Sequence, residues 1–234
     1  LEGELANIRS AFEWALEAGE AQTGLRLAGA LYWFWYLRNR FSEATDWFLR
    51  ARSFDPAPTA AWANVLLGSG LFAWRAGEYV DSEAFLRRAQ DLFEMLGDRW
   101  GAAMATHHLE HISEDLYHDL PRSIAVLSAC LVQFQLLDDA WGIAFTKRCL
   151  GRASVSFGDF AQGVSLLEEA LARLRQLGDQ WCVGNTLHYL GDVARQERRY
   201  DDAIGYFQES VAQSWAQRDA LTVADGLLRL GQIL

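Results

Sequence analysis

The chain has 234 residues, 51% of them apolar, and a formal net charge of −10 from 21 basic and 31 acidic side chains. That acidic balance, with both signs interspersed, excludes a surface that tracks nucleic-acid phosphates, which needs a basic stripe. The longest apolar run, Leu27 to Leu37, holds 11 residues closed by Arg26 and Arg38; it falls short of the ~20 that span a bilayer, and no signal-peptide architecture is visible.

Only three prolines interrupt the text. Between them apolar residues recur at intervals of three and four over stretches of roughly 15 residues, the helical period, so the expected class is all-α. Residues 1–20 form a first segment with a helix over 5–18. From residue 21 onward the chain reads as helical pairs: 21–58, 59–97, 98–138, 139–178, 179–218, and the first helix of a sixth pair at 219–234. The Asp55-Pro56-Ala57-Pro58 stretch reads as the connection after the first pair. Pro121 suits the start of a second helix, where its missing N–H costs little.

Aspartates mark the period. Asp98, Asp139, Asp179 and Asp219 are separated by 41, 40 and 40 residues, and Trp100, Trp141, Trp181 and Leu221 follow two positions after them. A carboxylate at each of these places fits the N-cap of a first helix. Leu96, Leu137 and Leu177, just before, are placed to staple onto the tryptophans.

Each pair repeats a set of columns. The turn between its helices carries Phe41, Tyr79, Leu120, Phe160 or Tyr200. Three residues on stands a small side chain (Ala44, Ser82, Ser123, Gly163, Ala203), then a large one after seven (Phe48, Leu86, Leu127, Leu167, Phe207) and a small one after ten (Ala51, Ala89, Cys130, Ala170, Ser210). These offsets share one helical face. Nine residues before the turn the column reads Tyr32, Gly70, His111, Gly151, Gly191, and Gly231 continues it. A fixed period of this kind marks an α-solenoid, in which each unit buries its apolar face against the next.

The small–large–small signature resembles the tetratricopeptide repeat, although the usual unit is ~34 residues; the surplus here lengthens either the helices or the connections. HEAT and armadillo units have similar periods but lack this pairing of first-helix glycine with turn aromatic. The resemblance implies a right-handed superhelix whose concave groove is lined by first-helix residues at fixed offsets from the glycine column. Those positions are Trp33 and Tyr36, then Asn64, Leu67, Leu71 and Trp74, then His108, Ile112 and Asp115. Arg148 and Arg152 follow, and finally Asn185, His188, Asp192 and Arg195. Such a groove is aromatic near the N-terminus and charged towards the C-terminus. The alternative for Trp33 and Tyr36 is packing against helix 5–18. Arg148 and Arg152, one turn apart, are the expected holders of an anionic group.

The first 52 residues resemble something narrower. Asn7-Ile8-Arg9, Trp14-Ala15-Leu16-Glu17, Leu25-Arg26-Leu27-Ala28-Gly29-Ala30-Leu31 and Phe34-Trp35-Tyr36-Leu37-Arg38 look like the start of the repeat sensor in bacterial STAND proteins. These are signal-transduction ATPases with numerous domains, including large ATP-dependent transcription activators of the maltose-activator type. The resemblance implies a sensor that binds a small-molecule, peptide or protein inducer and is coupled, through helix 5–18, to an upstream ATPase module of the same parent chain. ATP belongs to that upstream part, since no Gly-x-x-x-x-Gly-Lys-Ser/Thr motif occurs here. No cofactor is expected in this chain. The second functional expectation is an autonomous scaffold that grips a partner's peptide segment.

Against these stands a metal enzyme built on His107-His108-Leu109-Glu110-His111. His107 and His111 share a helix face, but the arrangement is not the His-Glu-x-x-His of metalloproteases. In repeat register both point between helices, so structural histidines are expected, and no metal site. No Ser/His/Asp or Cys/His grouping carries a distinctive flanking motif, so no catalytic residue is expected either. Cys130, Cys149 and Cys182 sit among apolar neighbours without a pairing pattern, as small core residues of a cytoplasmic protein do.

Overall fold

The computed structural model describes residues 2–38, 40–54, 57–117, 119–217 and 219–233, and within them every side chain except those of residues 2 and 113–117. Among the described residues there are twelve α-helices and no strand: α1 (Leu5–Glu17), α2 (Ala21–Leu37), α3 (Phe41–Ala51), α4 (Ala60–Ala76), α5 (Tyr79–Leu96), α6 (Arg99–Tyr117), α7 (Leu120–Leu136), α8 (Ala140–Phe157), α9 (Phe160–Leu177), α10 (Gln180–Gln196), α11 (Tyr200–Ala216) and α12 (Ala220–Ile233). A short 3-10 turn, Glu2–Glu4, precedes α1. None of these helices is long and apolar enough to cross a membrane. The turn residues of the sequence columns are the first residues of α3, α5, α7, α9 and α11. The surplus over a ~34-residue unit goes into the helices: α8 and α9 have 18 residues each, while only Gly178 and Asp179 separate α9 from α10.

The chain divides into two compact units, residues 1–112 and 113–234. In the first, α1 is seated on the first hairpin by aromatic packing. Phe12 is fully buried and stacks on Trp47 at 4.0 Å, and Trp35 meets Trp47 edge-on at 5.4 Å. Two ion pairs flank this contact, Arg9 with Glu43 at 2.6 Å and Arg50 with Glu13.

The glycine column explains how the helices of a pair approach. A Cβ on Gly70 would lie 2.5 Å from Leu86 Cγ, one on Gly191 2.8 Å from Phe207 Cε1, and one on Gly151 2.8 Å from Leu167 Cγ. The large column of the second helix therefore sits directly over the glycine column of the first, a ridge in a groove. The small column contributes hydrogen bonds as well as space: the Ser82 hydroxyl donates to the Gly70 carbonyl at 2.7 Å. At Gly231 a Cβ would meet nothing within 4 Å.

All four periodic aspartates cap helices. Asp98 accepts from the Gly101 amide, Asp139 from Trp141, Asp179 from Cys182 and Asp219 from Thr222, at 2.9 to 3.3 Å. Asp119 and Asp159 cap second helices in the same way, which the period did not reveal. Gly97 and Gly178 take φ of 72° and 73° just before a capping aspartate, a left-handed turn that lets one helix end and the next begin within two residues.

The tryptophans carry a bond the staple did not include. Leu96 and Leu177 are about two-fifths exposed, and Leu137 is half-buried. Two indole N–H groups reach forward one repeat: Trp141 donates to Asp179 Oδ2 at 2.8 Å and Trp181 to Asp219 Oδ2 at 3.1 Å. Each aspartate thus caps its own helix with one oxygen and accepts from the previous unit with the other. Asp179→Ala removes both bonds and is expected to cost about 2 kcal/mol, against about 1 kcal/mol for Trp141→Phe. Urea unfolding checks the difference; equal losses would mean the cap adds nothing, and an unchanged Trp141→Phe would mean the indole bond contributes nothing.

Candidate functional site

The expected recognition surface consists of first-helix residues, and the structure sorts them by exposure. In residues 1–112, Leu67, Leu71 and Ile112 are buried at 0%, 3% and 2% exposure and serve helix packing, not an open wall. Trp33 is half-buried and stacks on Tyr36 at 5.2 Å with rings 7° from parallel. Tyr36 is itself buried and turns its edge to Phe41 and Phe72, so it packs on α3 and α4. The Arg75 guanidinium lies over Phe41 at 5.0 Å and Tyr36 at 6.0 Å. Trp74 stacks on His111 at 5.8 Å, and Asn64 is half-buried beside Gly29. Packing closes Tyr36, Leu67, Leu71 and Ile112, while Asn64 lines a cavity of about 410 Å³ with Gln22, Arg26, Gly29 and Thr59.

His107 and His108 are buried, and His107 meets the His111 ring edge-on at 5.0 Å. His108, expected on the groove, is therefore a packed side chain, 4% exposed. Burial lowers the His108 pKa to about 4, because the charged imidazolium loses its hydration there. Asp115 lies outside the described side chains.

In residues 113–234 the surface is charged. Arg148 departs from the expected role of an open anion fork: it is 5% exposed, its guanidinium lies over the rings of Phe145 at 4.8 Å and Trp181 at 5.7 Å, and its Nη2 approaches Cys149 Sγ at 3.3 Å. Arginine replaces a first-helix apolar residue there because a planar guanidinium stacks on aromatic faces. Arg152, one turn later, is half-buried and lines a cavity of about 260 Å³ with Val155, Ser156, Tyr189, Asp192 and Gln196. Asn185 is half-buried and donates back to the Trp181 carbonyl at 2.9 Å.

Asp192 is the hub between α10 and α12. Its Oδ1 lies 3.3 Å from Arg195 Nη2 and 3.4 Å from Arg229 Nε, and its Oδ2 lies 3.6 Å from His188 Nε2. His188 Nε2 also reaches Asp225 Oδ2 at 2.8 Å, and Arg229 Nε stands 3.7 Å from Asp225 Oδ1. The structure thus brings together His188, Asp192 and Arg195 as expected and adds Asp225 and Arg229. Asp225 was within reach of the sequence, since it stands at the same offset from Gly231 as Asn185 does from Gly191, and Val155 follows from Gly151 likewise. Arg229 falls outside the offset rule, and only the α10–α12 packing reveals it.

A tetratricopeptide repeat family model matches residues 142–214. None of the curated proteins matches the sequence. Among solved structures, a Rap protein complexed with competence and sporulation factor superposes with a TM-score of 0.74 at 15% identity, covering 91% of this chain and 62% of that one. BtubC from P. vanneervenii gives 0.62 at 16% identity, covering 85% and 82%. A signal-transduction ATPase with numerous domains and a tetratricopeptide repeat sensor, from Pyrococcus horikoshii, gives 0.66 at 13% identity, covering 95% of this chain and 34% of that one. The fold is tetratricopeptide-like, and the chain spans under two thirds of the Rap structure and about a third of the ATPase.

Proposed function

We propose that this chain is a non-catalytic recognition region that binds an inducer on the first-helix surface of α8, α10 and α12, as the sensor of a STAND-type signalling ATPase or transcriptional regulator. The observation that carries the reading is the charged cluster around Asp192 beside a 260 Å³ cavity, set on a regular helical scaffold. Rigid hairpins hold such groups in place at little entropic cost to binding. The shared fold with a STAND repeat sensor supports the narrower assignment. In that setting α1, clamped to α3 through Phe12, Arg9 and Arg50, is the element that passes occupancy to an upstream ATPase module. Occupancy shifts such a parent only if the inducer binds its two states with different affinity.

The second reading, an autonomous scaffold for a partner's peptide segment, draws support from the likeness to a Rap protein solved with a bound factor. A phosphate-binding loop and winged helix encoded upstream of Leu1 would favour the sensor; a start codon there would favour the scaffold.

A thermal-shift screen of metabolites and peptides tests the common core of both. At a hundred times its Kd a ligand adds about 2.7 kcal/mol to stability. Arg152→Ala is expected to abolish the shift while leaving the unliganded melting point nearly unchanged. Arg148→Ala is expected to lower the unliganded melting point itself, because it removes a buried side chain stacked on two rings. A ligand whose shift survives Arg152→Ala in full would place binding elsewhere.

A further inference from the structure

Between α2 and α4, within residues 1–112, the cavity of about 410 Å³ sets three small residues, Gly29, Ala30 and Ala61, beside the polar side chains of Gln22, Arg26, Thr59 and Asn64. The repeat register shows why it is open. Three residues before the glycine column the next four units carry Leu67, His108, Arg148 and His188, every one buried, whereas the first unit carries Gly29. A Cβ on Gly29 would lie 2.8 Å from Asn64 Cβ and 3.1 Å from the Ala61 carbonyl oxygen, so α2 and α4 meet there almost backbone to backbone. No side chain from that position covers the space beside the contact.

The charge lining this cavity is unbalanced. Among the described residues it holds Arg26 and no carboxylate, in a chain whose net charge is −10. Two other cavities each hold an arginine and an aspartate, Arg88 with Asp91 and Arg152 with Asp192. The hydrogen-bonding groups are also unspent: the side chains of Gln22, Arg26 and Asn64 make no hydrogen bond or ion pair among the described residues. Thr59 alone of the polar lining is engaged, its hydroxyl oxygen accepting from the Trp62 amide at 3.3 Å. A ligand therefore meets a cation and two amides without first breaking an internal bond, which lowers the cost of binding.

We infer that this cavity is a second binding site and that it takes a small organic acid, with the carboxylate on Arg26 and a neighbouring amide or hydroxyl on Gln22 and Asn64. A planar carboxylate matches the guanidinium fork. One cation balances one negative charge, whereas a phosphate group brings nearly two. Each side-chain amide supplies both a donor and an acceptor, which suits a neutral polar group next to the charge. The volume lies within the ~300–1,000 Å³ of small-molecule sites, and Gly29, Ala30 and Ala61 leave room for a compact apolar part. None of these residues belongs to the surface around Asp192, which lies in residues 113–234.

The test titrates the whole isotope-labelled chain with N-acetylalanine, with its uncharged amide and with inorganic phosphate, read by amide NMR. N-acetylalanine is expected to shift the resonances of Gln22, Arg26, Ala61 and Asn64, and its amide to bind much more weakly. Arg26→Gln should weaken the acid about tenfold, about 1.4 kcal/mol, without lowering the melting point, because this side chain is exposed and unbonded. Ala30→Leu, also at an exposed position, should fill the cavity and abolish the shifts. Equal binding of the acid and its amide overturns the anionic chemistry. Shifts that survive Ala30→Leu, or that fall outside the cavity, overturn the site, as does silence throughout the titration. Tighter binding of phosphate than of the acid would replace the carboxylate with a phosphate ligand. A longer peptide ending in alanine that binds more tightly than N-acetylalanine would assign the carboxylate to a chain terminus and overturn the small-molecule source.

Discussion

Gly151→Leu is expected to cost about 3 kcal/mol or more of folding stability, at the upper end of what overpacking does. A Cβ at that position would stand 2.8 Å from Leu167 Cγ, 2.9 Å from the Gly163 carbonyl oxygen and 3.1 Å from the Leu167 amide nitrogen. Two of those three atoms are backbone, so no rotamer change relieves the clash and α9 itself must move away from α8. Gly163 faces back: its Cβ would lie 2.9 Å from the Gly151 carbonyl. The two glycines make this the tightest kind of helix approach, backbone against backbone. At Gly191 the three nearest atoms all belong to the Phe207 ring, which is fully buried. Gly191→Leu should therefore be costly but less so, since a ring can tilt where a helix cannot. Gly231→Leu is the control, with nothing within 4 Å of its Cβ, and should change stability by no more than ~0.5 kcal/mol, as surface changes do. Urea unfolding of the three variants orders them, and a Gly151→Leu protein as stable as the parent would mean that the columns are misassigned.

These columns were legible because the chain repeats the same constraints. Phe41, Tyr79, Leu120, Phe160 and Tyr200 all begin helices, and four aspartates at one period all cap them, so the sequence serves as its own alignment. The recognition surface was less legible. Tyr36, Leu67, Leu71, His108, Ile112, Arg148 and His188 obey the groove offsets yet are buried, because offsets taken from a ~34-residue unit do not fix the rotation of helices 17 to 19 residues long. The indole-to-aspartate bonds were hidden for another reason. Each joins residues 38 apart, and a period near 40 disguises that contact as two independent columns. Arg229 depends on which face of α12 meets α10, a fact about packing that no local spacing carries.

Acidification from pH 7 to pH 4 is expected to remove up to about 3 kcal/mol of stability through His108 alone. This side chain is 4% exposed, and burial holds its pKa at about 4 against an ordinary 6.5. The unfolded chain takes up a proton at the ordinary value, while the folded chain stays neutral until much lower pH. Within that window the unfolded state binds more protons, so stability climbs with pH through it and is complete above pH 6.5. Falling pH drains it until the folded state also protonates. Carboxylates held below their usual range by basic partners, Glu13 by Arg50, Glu43 by Arg9 and Glu169 by Lys147, act in a lower window, as pH falls through their own folded values. They are also more exposed, so solvent screening limits their share. His108→Phe separates the two windows: it keeps an aromatic ring in the buried site and removes the proton. Its stability between pH 6.5 and pH 5 should be nearly flat where the parent's slopes upward. Parallel curves for parent and variant would show that His108 accepts its proton in the folded chain as readily as in water, and that the environment around it is far wetter than its burial implies.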